Sequence, residues 1–142
     1  MYQVSELLGH KGAAVATIAP SASVLDAACA MNQRKIGSLV VVQGRKVVGI
    51  ITERDILTRI VAAERSPSKT RVEEVMTCEP ITCVPETPLE ELRNVMHQKR
   101  VRHIPVLESG CLAGMVSIGD LNAADAQVMT ETIGYLKAYI AG

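Results

Sequence analysis

Apolar and polar positions along the chain fall into two rounds of one pattern. A short apolar run, Val15–Ile18, stops at Pro20. Val24, Ala27, Ala28 and Met31 then recur at i, i+3, i+4 and i+7, which predicts an amphipathic helix over Val24–Gln33. Two β-rich runs follow, Ser38–Val42 and Lys46–Ile51, and Gln43-Gly44-Arg45 between them is a hairpin signal. The second round starts with Ile81–Val84 and stops at Pro85. Leu89, Leu92, Val95 and Met96 share one helix face, with Thr87 placed as N-cap and Pro88 as first helical residue. Strands over Ile104–Leu107 and Leu112–Val116 flank Glu108-Ser109-Gly110-Cys111. A helix is expected after each second strand.

The two rounds superpose at a fixed offset of 65 residues, without a gap, from Thr17–Asp55 to Thr82–Asp120. Gly49-Ile50-Ile51-Thr52-Glu53-Arg54-Asp55 matches Gly114-Met115-Val116-Ser117-Ile118-Gly119-Asp120. A looser echo precedes each copy: Val4-Ser5-Glu6-Leu7-Leu8 against Val72-Glu73-Glu74-Val75-Met76, at an offset of 68. Three extra residues thus separate the first lead-in segment from its repeat. The reading is an α+β fold of two β-α-β-β-α repeats, residues 1–65 and 72–125, joined by a polar link at 66–71 and closed by a helix at 126–142. A copy of about 60 residues buries too little surface to stand alone, so the two are expected to pack face to face about a pseudo-two-fold axis. Gly134 is expected to interrupt the closing helix. The apolar faces of the helices after the motif (Ile56, Leu57, Ile60, Val61) and of the closing helix (Ile133, Leu136, Ile140) are candidate contacts of a homodimer.

Composition sharpens this picture. The chain is 48% hydrophobic with three Tyr and no Trp or Phe, so the core must be aliphatic. Net charge is zero, and stacking aromatics are nearly absent, which argues against nucleic acid as a partner. No apolar run approaches the ~18 residues of a membrane span, and MYQVSELLGHKG lacks a signal-peptide core; a soluble, cytoplasmic protein is expected. Residues 1–70 carry nine Lys/Arg against five Asp/Glu, and 71–142 six against ten, a polarity suited to complementary contacts between halves or subunits. Cys29, Cys78, Cys83 and Cys111 form no metal-ligand spacing and read as small buried hydrophobes.

Thr52 and Ser117 stand where a strand meets a helix, so each is first a helix N-cap. A helix N-terminus with free N–H groups and a hydroxyl is also an anion site, and an Asp three residues on can accept both hydroxyls of a ribose diol. Basic residues gather at the strand starts. Lys99-Arg100-Val101-Arg102-His103-Ile104-Pro105 in the second copy faces Arg34-Lys35-Ile36-Gly37-Ser38 in the first, and Arg54 is matched by Gly119. The two sites are therefore unequal. No nucleophile, base and orienting group can be assembled, so catalysis is not expected.

The doubled unit with G-h-h-[ST]-x-x-D closing each copy, together with Val72–Thr77 and His103-Ile104-Pro105-Val106, resembles a tandem pair of cystathionine-β-synthase (CBS) domains, the Bateman module, over roughly residues 1–125. More narrowly, the chain is similar to small stand-alone bacterial CBS-pair proteins. The resemblance implies a regulatory module for AMP, ATP or NAD(H), less readily S-adenosylmethionine, acting on a protein partner in trans or on its own oligomer. It implies crosswise sites, the Asp taking the ribose and the Ser/Thr lying near phosphate. One would combine Thr52, Arg54 and Asp55 with Thr82, Arg102, His103, Ile104 and Pro105. The other would combine Ser117 and Asp120 with Thr17, Lys35, Gly37, Ser38 and Leu39.

Overall fold

The computed structural model describes residues 3–141. Helix α1 (Val4–Lys11) leads into strand β1 (Thr17–Ile18), helix α2 (Val24–Arg34) and the hairpin β2 (Ser38–Gln43)–β3 (Lys46–Thr52). After β3 come a short helix α3 (Glu53–Ile56) and a π-helical turn (Leu57–Val61). The second half runs α4 (Val72–Val75), β4 (Thr77–Cys78), α5 (Leu89–Lys99), the hairpin β5 (His103–Glu108)–β6 (Cys111–Ser117) and α6 (Ile118–Ala141).

The repeat survives at the level of register. β2 pairs antiparallel with β3 and β5 with β6, with Ser38 opposite Thr52 and His103 opposite Ser117. Both hairpins bulge at the same place, Val41/Val42 and Val106/Leu107, again 65 residues apart. β1 adds parallel to β2, whereas its counterpart in the second repeat is a single parallel bridge, Cys83 to Val106. Each of α2 and α5 ends on a non-glycine residue in the left-handed region, Lys35 and Arg100, both at φ 54°.

Two aliphatic cores form, and each borrows its lead-in helix from the other half. Val72 and Val75 of α4 are buried with Val24, Ala27, Met31, Leu39, Val41, Ile51 and Ile60. Val4 and Leu7 of α1 are buried with Leu89, Leu92, Met96, Ile104, Val106, Val116 and Leu121. Glycines mark the crossings. A Cβ on Gly49 would lie 2.6 Å from Met76 Sδ and 2.8 Å from the Thr77 carbonyl oxygen; one on Gly114 would lie 2.8 Å from both Leu8 methyls. β4 pairs with β3 at Gly49, so the second lead-in also extends the first sheet. Arg59, in the π-helical turn, donates from Nη1 to the carbonyls of Val75 and Met76 and caps α4. The two halves are thus laced together by exchange of chain, and the β3 and β6 strands meet between them.

Several sequence expectations are corrected. Thr87 does not cap α5: its hydroxyl accepts the Val84 N–H, and Pro88 takes the N-cap position. Gly134 does not interrupt α6, which runs unbroken from Ile118 to Ala141. Cys29, Cys78 and Cys111 are exposed rather than buried; Cys83 alone is half-buried, and burial pushes its thiol up to about 11. Of the candidate contact residues in the first half, Ile60 is buried in the core while Leu57 and Val61 are exposed. The link at 66–71 is tied down, since Thr70 and Pro67 carbonyls accept the N–H groups of Val24 and Leu25 at the start of α2. Among the described residues, the ion pairs Lys11–Asp120 and Arg65–Glu74 join the basic half to the acidic half.

Candidate functional site

Thr52 and Ser117 each end a strand and start a helix, and the local geometry follows from that double duty. Thr52 Oγ1 accepts the Asp55 N–H at 3.1 Å while Asp55 Oδ2 accepts the Thr52 N–H at 3.0 Å, a reciprocal capping box. Ser117 Oγ accepts the Asp120 N–H at 3.1 Å and Asp120 Oδ2 accepts the Ser117 N–H at 2.8 Å. The cap thereby fixes each carboxylate at a helix start. Asp55 is only 8% exposed, and Thr77 Oγ1 of β4 donates to its second oxygen at 3.3 Å. All its bonds come from a backbone amide and neutral hydroxyls.

Around Asp55 lies a cleft of about 530 Å³, lined by Thr52, Glu53, Arg54 and Asp55 from the first repeat and by Lys99, Arg100, Val101, Arg102 and His103 from the second, with Thr77, Glu79, Pro80 and Ile81 on its flank. This size suits a nucleotide-sized ligand. The crosswise combination of Thr52, Arg54 and Asp55 with Arg102 and His103 is therefore present in space. A smaller cleft of about 340 Å³ lies around Asp120, where Ser117 and Asp120 meet Lys35, Gly37 and Ser38, together with Lys11, Ala14, Val15, Ala16 and Met115.

His103 lines both clefts. Burial pulls its imidazole below the ordinary value; Glu53 and Asp120 push it back up, Arg102 and Lys11 push it down, and the balance stays low. Burial raises the Asp120 carboxyl, but the Lys11 ammonium and the Ser117 cap outweigh that and hold it below the usual range. Gly37, where the other repeat has Arg102, leaves room for the Glu53 carboxylate, 3.1 Å from where a Cβ would stand, and for the His103 ring.

Thr17, Leu39, Thr82, Ile104 and Pro105 do not line the clefts. Successive strand residues face opposite ways, so with Ser38 and His103 on the cleft side, Leu39 and Ile104 point into the two cores. Pro105 is buried within β5, and Thr17 and Thr82 are exposed outside both walls. Conversely Lys11, Thr77 and Glu79 line the clefts with no place in the sequence reading, while Lys99 and Arg100 belong to the basic strand start but stand outside the two residue sets. Arg100 had a signal available, since Lys35 lies 65 residues before it. Among the described residues no cluster of His, Cys, Asp or Glu is arranged to hold a metal ion, and no helix is long and apolar enough to cross a membrane.

The family model for the CBS domain matches residues 11–62 and 72–126. The CBS domain-containing protein CBSX3, mitochondrial, of Arabidopsis thaliana is 42% identical over 84% of this chain, a match spanning 61% of that protein. The CBS domain-containing protein YhcV of Bacillus subtilis is 35% identical, with 84% of each chain covered. Among solved structures, the CBS domain protein NE2398 is 38% identical with a TM-score of 0.82, covering 87% of this chain and 96% of its own. A CBS domain protein from Pyrobaculum aerophilum, solved in complex with AMP, is 25% identical with a TM-score of 0.75 over 83% of this chain and 88% of its own. With two matched domains, a shared fold and the repeated G-h-h-[ST]-x-x-D motif in its expected place, the chain belongs to the CBS-domain family as a tandem pair.

Proposed function

We propose that the protein is a regulatory module of the cytoplasm that binds an adenosine nucleotide in the Asp55 cleft and passes the bound state to a partner protein or to its own oligomer. The observation that carries this reading is the meeting of a capped carboxylate, Asp55, with Arg54, Arg102 and His103 across one cleft of about 530 Å³. Asp55 is held by exchangeable hydroxyls, which can turn away as a ribose diol donates in their place. Arg54, Lys99, Arg100 and Arg102 outnumber Glu53, Asp55 and Glu79 on the walls, which suits phosphate. AMP, ATP and NAD(H) fit this balance better than S-adenosylmethionine, whose sulfonium brings positive charge. The AMP complex of the Pyrobaculum protein supports the ligand class.

Ligand phosphate would neutralise the facing cations and draw the two halves together. A partner that prefers the closed form then gains affinity by the factor the ligand gains from that partner. A thermal-shift titration with AMP, ATP, NAD, NADH and S-adenosylmethionine tests the reading. A ligand at ~100 times its dissociation constant adds about 2.7 kcal/mol, and absence of any shift at millimolar ligand would count against the sensor.

A second reading, a ligand-free oligomerisation scaffold, draws on α6, whose Met129, Ile133, Leu136 and Ile140 form an exposed apolar stripe. A homodimer built on that stripe is compatible with either reading. Failure of every nucleotide together with a concentration-dependent oligomer would favour the scaffold.

A further inference from the structure

The three residues that separate the 68-residue offset of the lead-in segments from the 65-residue offset of the repeats have a structural meaning. Helix α1 has eight residues and α4 has four, so the first lead-in carries an additional helical turn. Lys11 stands at the end of that turn. Its Nζ lies 2.6 Å from Asp120 Oδ2 and 2.8 Å from the Met115 carbonyl oxygen, inside the smaller cleft. The second repeat's lead-in has no such turn, and Asp55 is bonded by hydroxyls and an amide instead.

We propose that Lys11 is a specificity-determining residue that closes the Asp120 cleft to ribose, so that the chain takes one nucleotide, at Asp55. This rests on the nucleotide-binding reading above. A diol donates two hydrogen bonds to a carboxylate. At Asp55 it replaces neutral hydroxyl donors with neutral hydroxyl donors. At Asp120 it must displace an ammonium whose charge-assisted bond is roughly twice as strong as a neutral one, and whose second bond to the Met115 carbonyl is lost at the same time. The ammonium also fills the approach to the carboxylate in a cleft already smaller than its counterpart. Lys11→Met keeps the length and bulk of the side chain and removes its charge.

Calorimetric titration with AMP of the wild-type chain, Lys11→Met and the double variant Lys11→Met/Asp120→Asn decides the matter. Wild type is expected to bind one AMP per chain, Lys11→Met two, and the double variant one again. Two sites in wild type, or one site in both wild type and Lys11→Met, would overturn the role of Lys11 and leave the sensor reading standing. No site in wild type but one in Lys11→Met would support the lysine and remove the assignment to Asp55. No binding in any of the three would overturn both. Lys11→Gln, titrated alongside, keeps a polar end without charge and is expected to behave as Lys11→Met.

Discussion

Gly49 offers a direct test of the exchange of lead-in segments between the two cores. A methyl group at Gly49 would meet the Thr77 carbonyl oxygen at 2.8 Å and Met76 Sδ at 2.6 Å. The sulfur can move, but the carbonyl belongs to backbone that pairs with β3 at this point. Gly114 occupies the same place in the second repeat, and there the obstacle is only the branched end of Leu8. Overpacking against a fixed neighbour costs about 1–3 kcal/mol, whereas replacing a strand glycine recovers roughly 0.5–1 kcal/mol of backbone entropy. Gly49→Ala is therefore expected to destabilise by about 1–2 kcal/mol. Gly114→Ala, whose neighbour is the movable end of the half-buried Leu8 side chain, is expected to cost less than Gly49→Ala and to fall near zero. Urea denaturation followed by circular dichroism measures both as a shift of the midpoint at unchanged slope. Equal costs, or a larger loss at Gly114, would refute the placement of the α4–β4 segment on the first hairpin.

Other expectations follow from the same geometry. Burial raises the Cys83 thiol from 9.0 to about 11, about a hundredfold less thiolate, so an Ellman-type reagent at pH 8 should modify Cys29, Cys78 and Cys111 quickly and Cys83 slowly; four equal rates would contradict its burial. His103, held below its ordinary 6.5 in the folded state, stabilises fully above that value and loses its contribution as pH falls below it, because the unfolded chain then binds the proton more readily. Denaturation between pH 7.5 and 5 should show that loss in wild type and a flatter profile in His103→Gln. On the proposed nucleotide-binding reading, Arg102→Ala would remove one charge-assisted contact to phosphate, an effect of about 1.5–3 kcal/mol or ten- to hundredfold in affinity. Competition binding should show ATP losing more than adenosine.

Much of the fold was legible because the repeat makes every local signal occur twice. The hairpins announce themselves through Gly44 and Gly110, both at positive φ where a two-residue turn needs it. The helix faces of α2 and α5 follow from apolar spacing alone. What the sequence does not carry is which core a lead-in helix enters: Val4, Leu7, Val72 and Val75 have the same pattern whichever half receives them. Burial of cysteines failed for a related reason, since an apolar stripe does not say where its rim lies, and Cys29 sits beyond that rim on α2. On the site, Thr52, Asp55, Ser117 and Asp120 were readable from capping chemistry. Leu39 and Ile104 were excluded only by strand parity, because β2 is buried on both faces near its start and the pattern Ser38-Leu39-Val40 shows no alternation. Lys11 was hidden by distance, 109 residues from the carboxylate it holds, although the three-residue difference in offset marked the turn that delivers it.

The measurement that bears most directly on the nucleotide-binding account is an amide chemical-shift titration of isotopically labelled protein with AMP. The account predicts that the amides of Thr52, Glu53, Arg54, Asp55, Arg102 and His103 move together and saturate at one ligand concentration, while those at the free end of α6 stay in place. A spectrum that does not change at millimolar AMP, or changes confined to residues outside the Asp55 cleft, would contradict it.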